Sequence, residues 1–284
     1  NNGKNTGKKN GKHSVKAKKS MREQFKIFSK TKSFKVTVVL AILVIAIVMV
    51  AVLYPYIAPF NAPSSITADK YYEISNKDVL SNGSSAVYFI SWYGCPIGAT
   101  DSWALYYAMN SSTNIYNHVK LHQAYKDDIY GNGTAGQPGL LFNGDFAFKY
   151  NSTTFNFYPL YMYNETMTGT ISNGTISGTL ASYGLSLINR TYPAPVAKIF
   201  NKYASDITYD NHLETTFLIT GPHGTYMLNA FMYQPNSELG TGKYSTTDNT
   251  YVPHSPSYVM ANLNSDTTIT GASSVFMSYL GKAD

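Results

Sequence analysis

A chain of 284 residues with a single cysteine, Cys95, cannot be held together by internal disulfides, so its stability has to come from a packed core. The formal charge of +6 averages two unlike parts. Residues 1–35 hold twelve of the 22 Lys and Arg against one acid, Glu23, a balance of +11; the remainder holds ten bases against fifteen acids, a balance of −5. A basic block alone fits nucleic acid, but lying directly against an apolar run it fits anionic lipid headgroups better, and no nucleic-acid partner is expected.

The run 36–54 carries no charge for 19 residues. At about 1.5 Å per residue it covers about 28 Å, close to the ~30 Å hydrocarbon thickness of a bilayer. Tyr54 and Tyr56 stand where an interfacial aromatic belt belongs, and Lys30, Lys32 and Lys35 flank the other end. A cleaved signal peptide is the competing reading. Its apolar region is about 7–15 residues long and ends in small residues, whereas this run is longer and continues as Tyr54-Pro55-Tyr56-Ile57-Ala58-Pro59-Phe60. The expectation is therefore an uncleaved signal anchor in the cell membrane. It comprises a basic cytoplasmic tail at 1–35 and one transmembrane helix at 36–54, with the C-terminal domain extracellular. The Lys/Arg excess sets this orientation.

Residues 55–66 hold three prolines and read as a stiff exit, within a linker placed at 55–79. The segment 69–82 is polar, with a short amphipathic piece at Val79-Leu80. The apolar, aromatic run 86–92 reads as a buried strand. It ends at Tyr93-Gly94-Cys95-Pro96-Ile97-Gly98, after which 101–109 has helical spacing with Trp103, Tyr106, Tyr107 and Asn110 along one side. The turn-rich stretch 111–190 reads as a long insertion in which 154–158 and 161–163 are hairpin strands. A helix with an early proline is expected at 195–203. Strands at 215–220 and 225–231 are joined tightly through Gly221-Pro222-His223-Gly224 as a hairpin. Helices are expected at 257–262 and 273–280.

Seven Asn-x-Ser/Thr sequons start at Asn82, Asn110, Asn132, Asn151, Asn164, Asn173 and Asn189. Compositional bias accounts for some of them. Read functionally, they predict N-linked glycans on an outer surface, with 192–284 packed or facing another protein.

Cys95 falls at a strand-to-helix turn, where a helix N-terminus lowers a thiol's pKa. An inert thiol, a nucleophile in monothiol exchange, an intermolecular crosslink and a metal ligand all remain open to it. His118 and His122 would share one face of a helix, with Asp127 or Asp128 as the nearest third ligand, but a solvent-facing pair is the simpler reading; no metal site and no cofactor are expected. The sequence holds no nucleophile elbow and no phosphate-cradling glycine loop. Its 25 tyrosines form no regular stripe and read as core and interface area.

The order strand, Cys-Pro-x-x, helix, insertion, hairpin, terminal helix resembles that of a thioredoxin-like domain. More closely, Trp92-Tyr93-Gly94-Cys95-Pro96-Ile97-Gly98-Ala99-Thr100-Asp101-Ser102-Trp103-Ala104-Leu105 resembles an archaeal family of membrane-anchored proteins, domain of unknown function 929. Weaker echoes run through 146–163, 213–233 and the last helix. The resemblance implies an α/β (α+β) fold with a thioredoxin-like extracytoplasmic domain at 80–284 carrying the insertion 111–190, and it implies Cys95 and Pro96 as the catalytic positions. Two departures stand out. Gly98 occupies the place of the family's second cysteine, and on this alignment Thr216 occupies the place of the proline that faces the first. A second thiol normally releases the mixed disulfide. Without it, the leading expectation is a non-catalytic accessory or binding component of a cell-envelope or membrane complex, with the bilayer, N-linked glycans and other envelope proteins as partners. A monothiol exchange or isomerase activity through Cys95, and a structural cell-surface glycoprotein, are the alternatives.

Overall fold

The structure is a computed structural model that describes residues 29, 32–57, 60–123, 137–234, 239–245 and 250–284. It divides into two units, Asn1–Pro59 and Phe60–Asp284. In the first, helix α1 spans Lys32–Ile57. Its segment Lys32–Leu53, with a mean hydropathy of 3.4 and no part of it buried, is long and apolar enough to cross a membrane. The expected span 36–54 lies inside this helix; most of the expected tail lies outside the described residues.

The second unit is a mixed α+β fold, as expected, built on one six-stranded sheet. In chain order its elements are β1 (Lys70–Ser75), β2 (Ser85–Ser91), α2 (Pro96–Asn110), β3 (Val119–His122), β4 (Gly139–Phe142), β5 (Phe146–Tyr150), β6 (Thr153–Tyr161), α3 (Leu180–Thr191), α4 (Ala194–Lys202), β7 (Thr208–Tyr209), β8 (His212–Leu213), β9 (Thr216–Gly221), β10 (Gly224–Asn229), β11 (Gly240–Ser245), β12 (Thr250–Pro253), α5 (Pro256–Asn262) and α6 (Thr267–Ala283). The sheet order is β1-β10-β9-β2-β6-β5. β2 and β6 are parallel, with Ser85 opposite Phe155 and Ser91 opposite Tyr161, and every other neighbouring pair is antiparallel.

Every residue of β2 is buried. Helices cover both faces of the sheet, so a central strand has no solvent side and its sequence loses polar alternation. Val87 and Phe89 point to the face covered by α2 and α6, where they join Trp103, Phe217 and Phe276. Ala86, Tyr88 and Ile90 point to the face covered by α3 and α4, with Val196, Phe200 and Leu218. Helix α2 is buried on nearly all sides rather than along one stripe. Trp103 Nε1 donates to the Pro138 carbonyl at 2.8 Å, and Ser102 Oγ accepts from the Leu140 N–H at 2.8 Å, which ties α2 to β4.

Three expectations need correction. The linker placed at 55–79 contains β1, an edge strand whose six residues bury one apolar side chain, Ile74; an edge strand can stay polar because only one of its sides is paired. The segment 111–190 is not one insertion. β3 and β4 form a separate ladder, but β5 and β6 belong to the main sheet, and 154–161 is a single strand paired to both β5 and β2. Residues 118–122 are not helical: His118 ends a 3₁₀ turn (Tyr116–His118) and His122 ends β3.

The free edge of β5 is closed locally. Thr113 Oγ1 accepts from the Lys149 N–H at 2.9 Å, and Ser112 Oγ donates to the Lys149 carbonyl.

Asp101 of α2 is wholly buried. Its Oδ1 accepts from the Met232 N–H at 2.9 Å, but Oδ2 has no partner, and burial pushes the carboxyl well above its usual range. A carboxyl held high in the folded state favours folding only below its unfolded value, and that contribution is lost as pH rises through the folded one. Asp101→Asn is therefore expected to stabilise the fold by roughly 1–3 kcal/mol at pH 7. The gain should shrink at pH 4, read from denaturant midpoints at the two pH values.

Candidate functional site

The site forms where β2 runs out. The chain turns after Ser91, the Cys95 N–H donates to the Trp92 carbonyl at 3.2 Å, and Cys95 becomes the N-cap of α2. Pro96 takes the first helical position, where a missing N–H costs nothing. Gly94 is required here, because a Cβ at that position would stand 2.1 Å from the Glu165 carbonyl.

The Cys95 side chain is 3% exposed. Its Sγ lies 3.4 Å from the Gly98 N–H, which donates to it, and 3.0 Å from Thr215 Oγ1. Thr215 Oγ1 in turn lies 2.9 Å from Ser91 Oγ. These three buried groups form a short hydroxyl–hydroxyl–thiol chain. Burial raises the Cys95 pKa, and the hydrogen bonds from Thr215, the Gly98 and Ile97 backbone and Ser91 offset this only in part. The group is a thiol at neutral pH, and a helix N-terminus alone does not make it a ready nucleophile.

Gly98, where the resemblance expects a second cysteine, is closed to any side chain. A Cβ added at Gly98 would meet Ser91 Oγ at 2.2 Å and Thr215 Oγ1 at 3.1 Å. The hydroxyl pair therefore fills the volume that a resolving thiol would need. The residue that faces Cys95 is Thr215, one position before the Thr216 expected there; Thr216 Oγ1 instead donates to Asn229 Oδ1 at 3.0 Å.

Beside the thiol opens a pocket of about 180 Å³. Trp92, Pro96, Ile97 and Phe231 give it apolar walls, and Tyr209, His212 and Glu214 stand around it. His212 meets the Trp92 ring edge-on at 6.0 Å, and its burial holds its pKa down, so the ring is neutral at pH 7. Burial raises the Glu214 carboxyl, whose Oε2 accepts from Asn229 Nδ2 at 3.2 Å.

The other sequence candidates disperse. His122 Nε2 lies 3.1 Å from Glu165 Oε1, while His118 packs its ring on Phe146 at 4.7 Å. Among the described residues no group of three or more His, Cys, Asp or Glu is placed to hold a metal; Asp127 and Asp128 lie outside them. Asn82, Asn151, Asn173 and Asn189 are exposed, Asn110 and Asn164 are half-buried, and Asn132 lies outside the described residues. Ser91, Thr215, His212 and Glu214 carried no signal of their own, being ordinary polar residues whose meeting with Cys95 depends on strand pairing.

Two outcomes follow. Gly98→Ala should destabilise the domain by about 1–3 kcal/mol through crowding, and Ser91→Ala in the same chain should recover part of that loss in thermal unfolding. Because the Cys95 pKa is raised on folding, its contribution to stability is present below its unfolded value and lost as pH rises above it. Stability should thus decline above about pH 9, and Cys95→Ser should flatten that decline; folded Cys95 should also label more slowly than denatured Cys95.

The family described as domain of unknown function (DUF929) has a sequence model that matches residues 70–282. No curated protein and no solved structure matches the chain.

Proposed function

The chain belongs to this family, and we propose that its folded unit is a non-catalytic, thioredoxin-like binding domain, held at the cell surface as an accessory component of an envelope or membrane complex. The observation that carries this reading is the apolar pocket beside a thiol that lacks both a partner and the room for one. The strand order β6-β2-β9-β10, with β2 and β6 parallel and the rest antiparallel, supports the thioredoxin-like reading. In this reading α1 is an uncleaved anchor with the basic tail in the cytoplasm, and the −5 remainder faces outward.

The pocket suits an apolar side chain of a protein partner. Trp92, Ile97 and Phe231 offer desolvated contact area, and the neutral His212 adds a polar contact without a charge. A thiol kept protonated adds a soft, weakly polar wall rather than a reactive group. Monothiol exchange is the second reading, favoured by the Gly98 N–H and Thr215 hydroxyl that point at Sγ and would stabilise a thiolate.

The two readings separate cleanly. In detergent extracts of membranes bearing the full chain, Ile97→Asp or Phe231→Asp should reduce partner recovery at least tenfold, while Cys95→Ser, which keeps a small side chain in the pocket wall, should reduce it by no more than about twofold. Loss of the partner on Cys95→Ser, with a mixed disulfide trapped on the unaltered chain, would replace the binding reading with thiol exchange.

A further inference from the structure

The six sequons among the described residues are not equivalent once placed on the fold. A glycan bond replaces one of the two Nδ2 hydrogens of asparagine, so an acceptor needs an Nδ2 that is free of structural duty and has space around it. Asn164 fails both conditions. Its Oδ1 accepts from the N–H groups of Thr168 and Gly169 at 3.0 and 3.2 Å, and its Nδ2 donates to Thr168 Oγ1 at 3.2 Å and Asn173 Oδ1 at 3.0 Å. These four bonds use the whole capacity of the amide. Gly169 also lies close enough that a Cβ there would stand 3.5 Å from Nδ2.

Asn82 and Asn151 meet the conditions. Asn82 is exposed, and its Oδ1 accepts from the Ser84 N–H at 3.0 Å, a turn closed over the third residue of its own sequon that engages the amide oxygen and not Nδ2. The next residue, Gly83, has φ +71° and open space where a Cβ would be. Asn151 is exposed with φ 52° in the two-residue turn between β5 and β6, which the Tyr150–Thr153 pair closes.

The two share one end of the sheet. Asn82 precedes β2 and Asn151 precedes β6, and these strands run parallel with Ser85 opposite Phe155. Cys95 follows the far end of β2. At ~3.3 Å per residue the strand puts about 20 Å between the two turns and the pocket.

We propose that Asn82 and Asn151, at the end of the sheet opposite the Cys95 pocket, carry N-linked oligosaccharides while Asn164 stays bare. The assignment rests on the reading that this domain lies outside the cell. In the transfer, Nδ2 bonds to the anomeric carbon of a lipid-phosphate-linked oligosaccharide. The anomeric C–O bond breaks with its electron pair on the phosphate oxygen, and one Nδ2 proton is released. The product keeps one N–H; Asn82 and Asn151 can give up the other, whereas Asn164 uses both in hydrogen bonds to Thr168 and Asn173.

The test is glycopeptide mass mapping of the full chain isolated from the membranes of cells that make it, beside protease treatment of those cells while sealed. Modified peptides are expected at Asn82 and Asn151 and an unmodified one at Asn164. Asn82→Gln and Asn151→Gln should each remove the mass of one oligosaccharide, and Asn164→Gln none. A modified Asn164, or a bare Asn82 or Asn151 on a chain that external protease digests, overturns the assignment. Full protection from external protease overturns the outward placement itself.

Discussion

The full burial of β2 is the constraint on which the second unit depends. A strand with no solvent face must satisfy its backbone on both edges and its side chains on both faces, so it requires β6 and β9 beside it and helices above and below. The seven residues Ser85–Ser91 thereby set the register of the parallel β6 and the antiparallel β9, and through β9 the hairpin partner β10. The same strand ends at the turn that carries Cys95, so the geometry of the site is inherited from a strand buried along its whole length.

Two physical effects compete at that turn. The helix N-terminus and the Thr215 hydroxyl favour a thiolate; desolvation opposes it and is the larger cause. Gly98 shows why the outcome is a quiet thiol. A second cysteine would have to displace the Ser91–Thr215 hydroxyl pair, which is itself bonded to the first thiol. The departure from a two-thiol motif is thus more than a missing sulfur atom, because the surroundings have closed over its place. What remains open is the other side of Cys95, where apolar walls form a pocket.

Much of this architecture was legible in the residues, where the signal is local. The unbroken apolar run of β2, the Gly221-Pro222-His223-Gly224 turn and the Pro195 helix start each announce themselves within ten residues. β1 did not, because Lys70–Ser75 is a polar edge that buries a single isoleucine. β6 was visible as alternation of Phe155 and Phe157 with Asn156, yet nothing in it names β2 as its parallel neighbour. The i, i+4 spacing of His118 and His122 has meaning only on a helix, and that segment is a turn and a strand. At the site, the sequence marked Cys95, Pro96 and Gly98. Thr215 meets Cys95 across 120 residues, a contact made by sheet topology alone.

Lys149 surrenders both its backbone groups to the hydroxyls of Ser112 and Thr113, and at the opposite margin β1 carries exposed Lys70 and Glu73 with a register break after Glu73. An open β-edge is a template for copies of itself. Molecules tethered to a surface, as proposed for this one, meet their neighbours at effective concentrations far above those of free solution. Two small hydroxyls and a margin with a register break and exposed charges leave the sheet a poor template for strand-to-strand association.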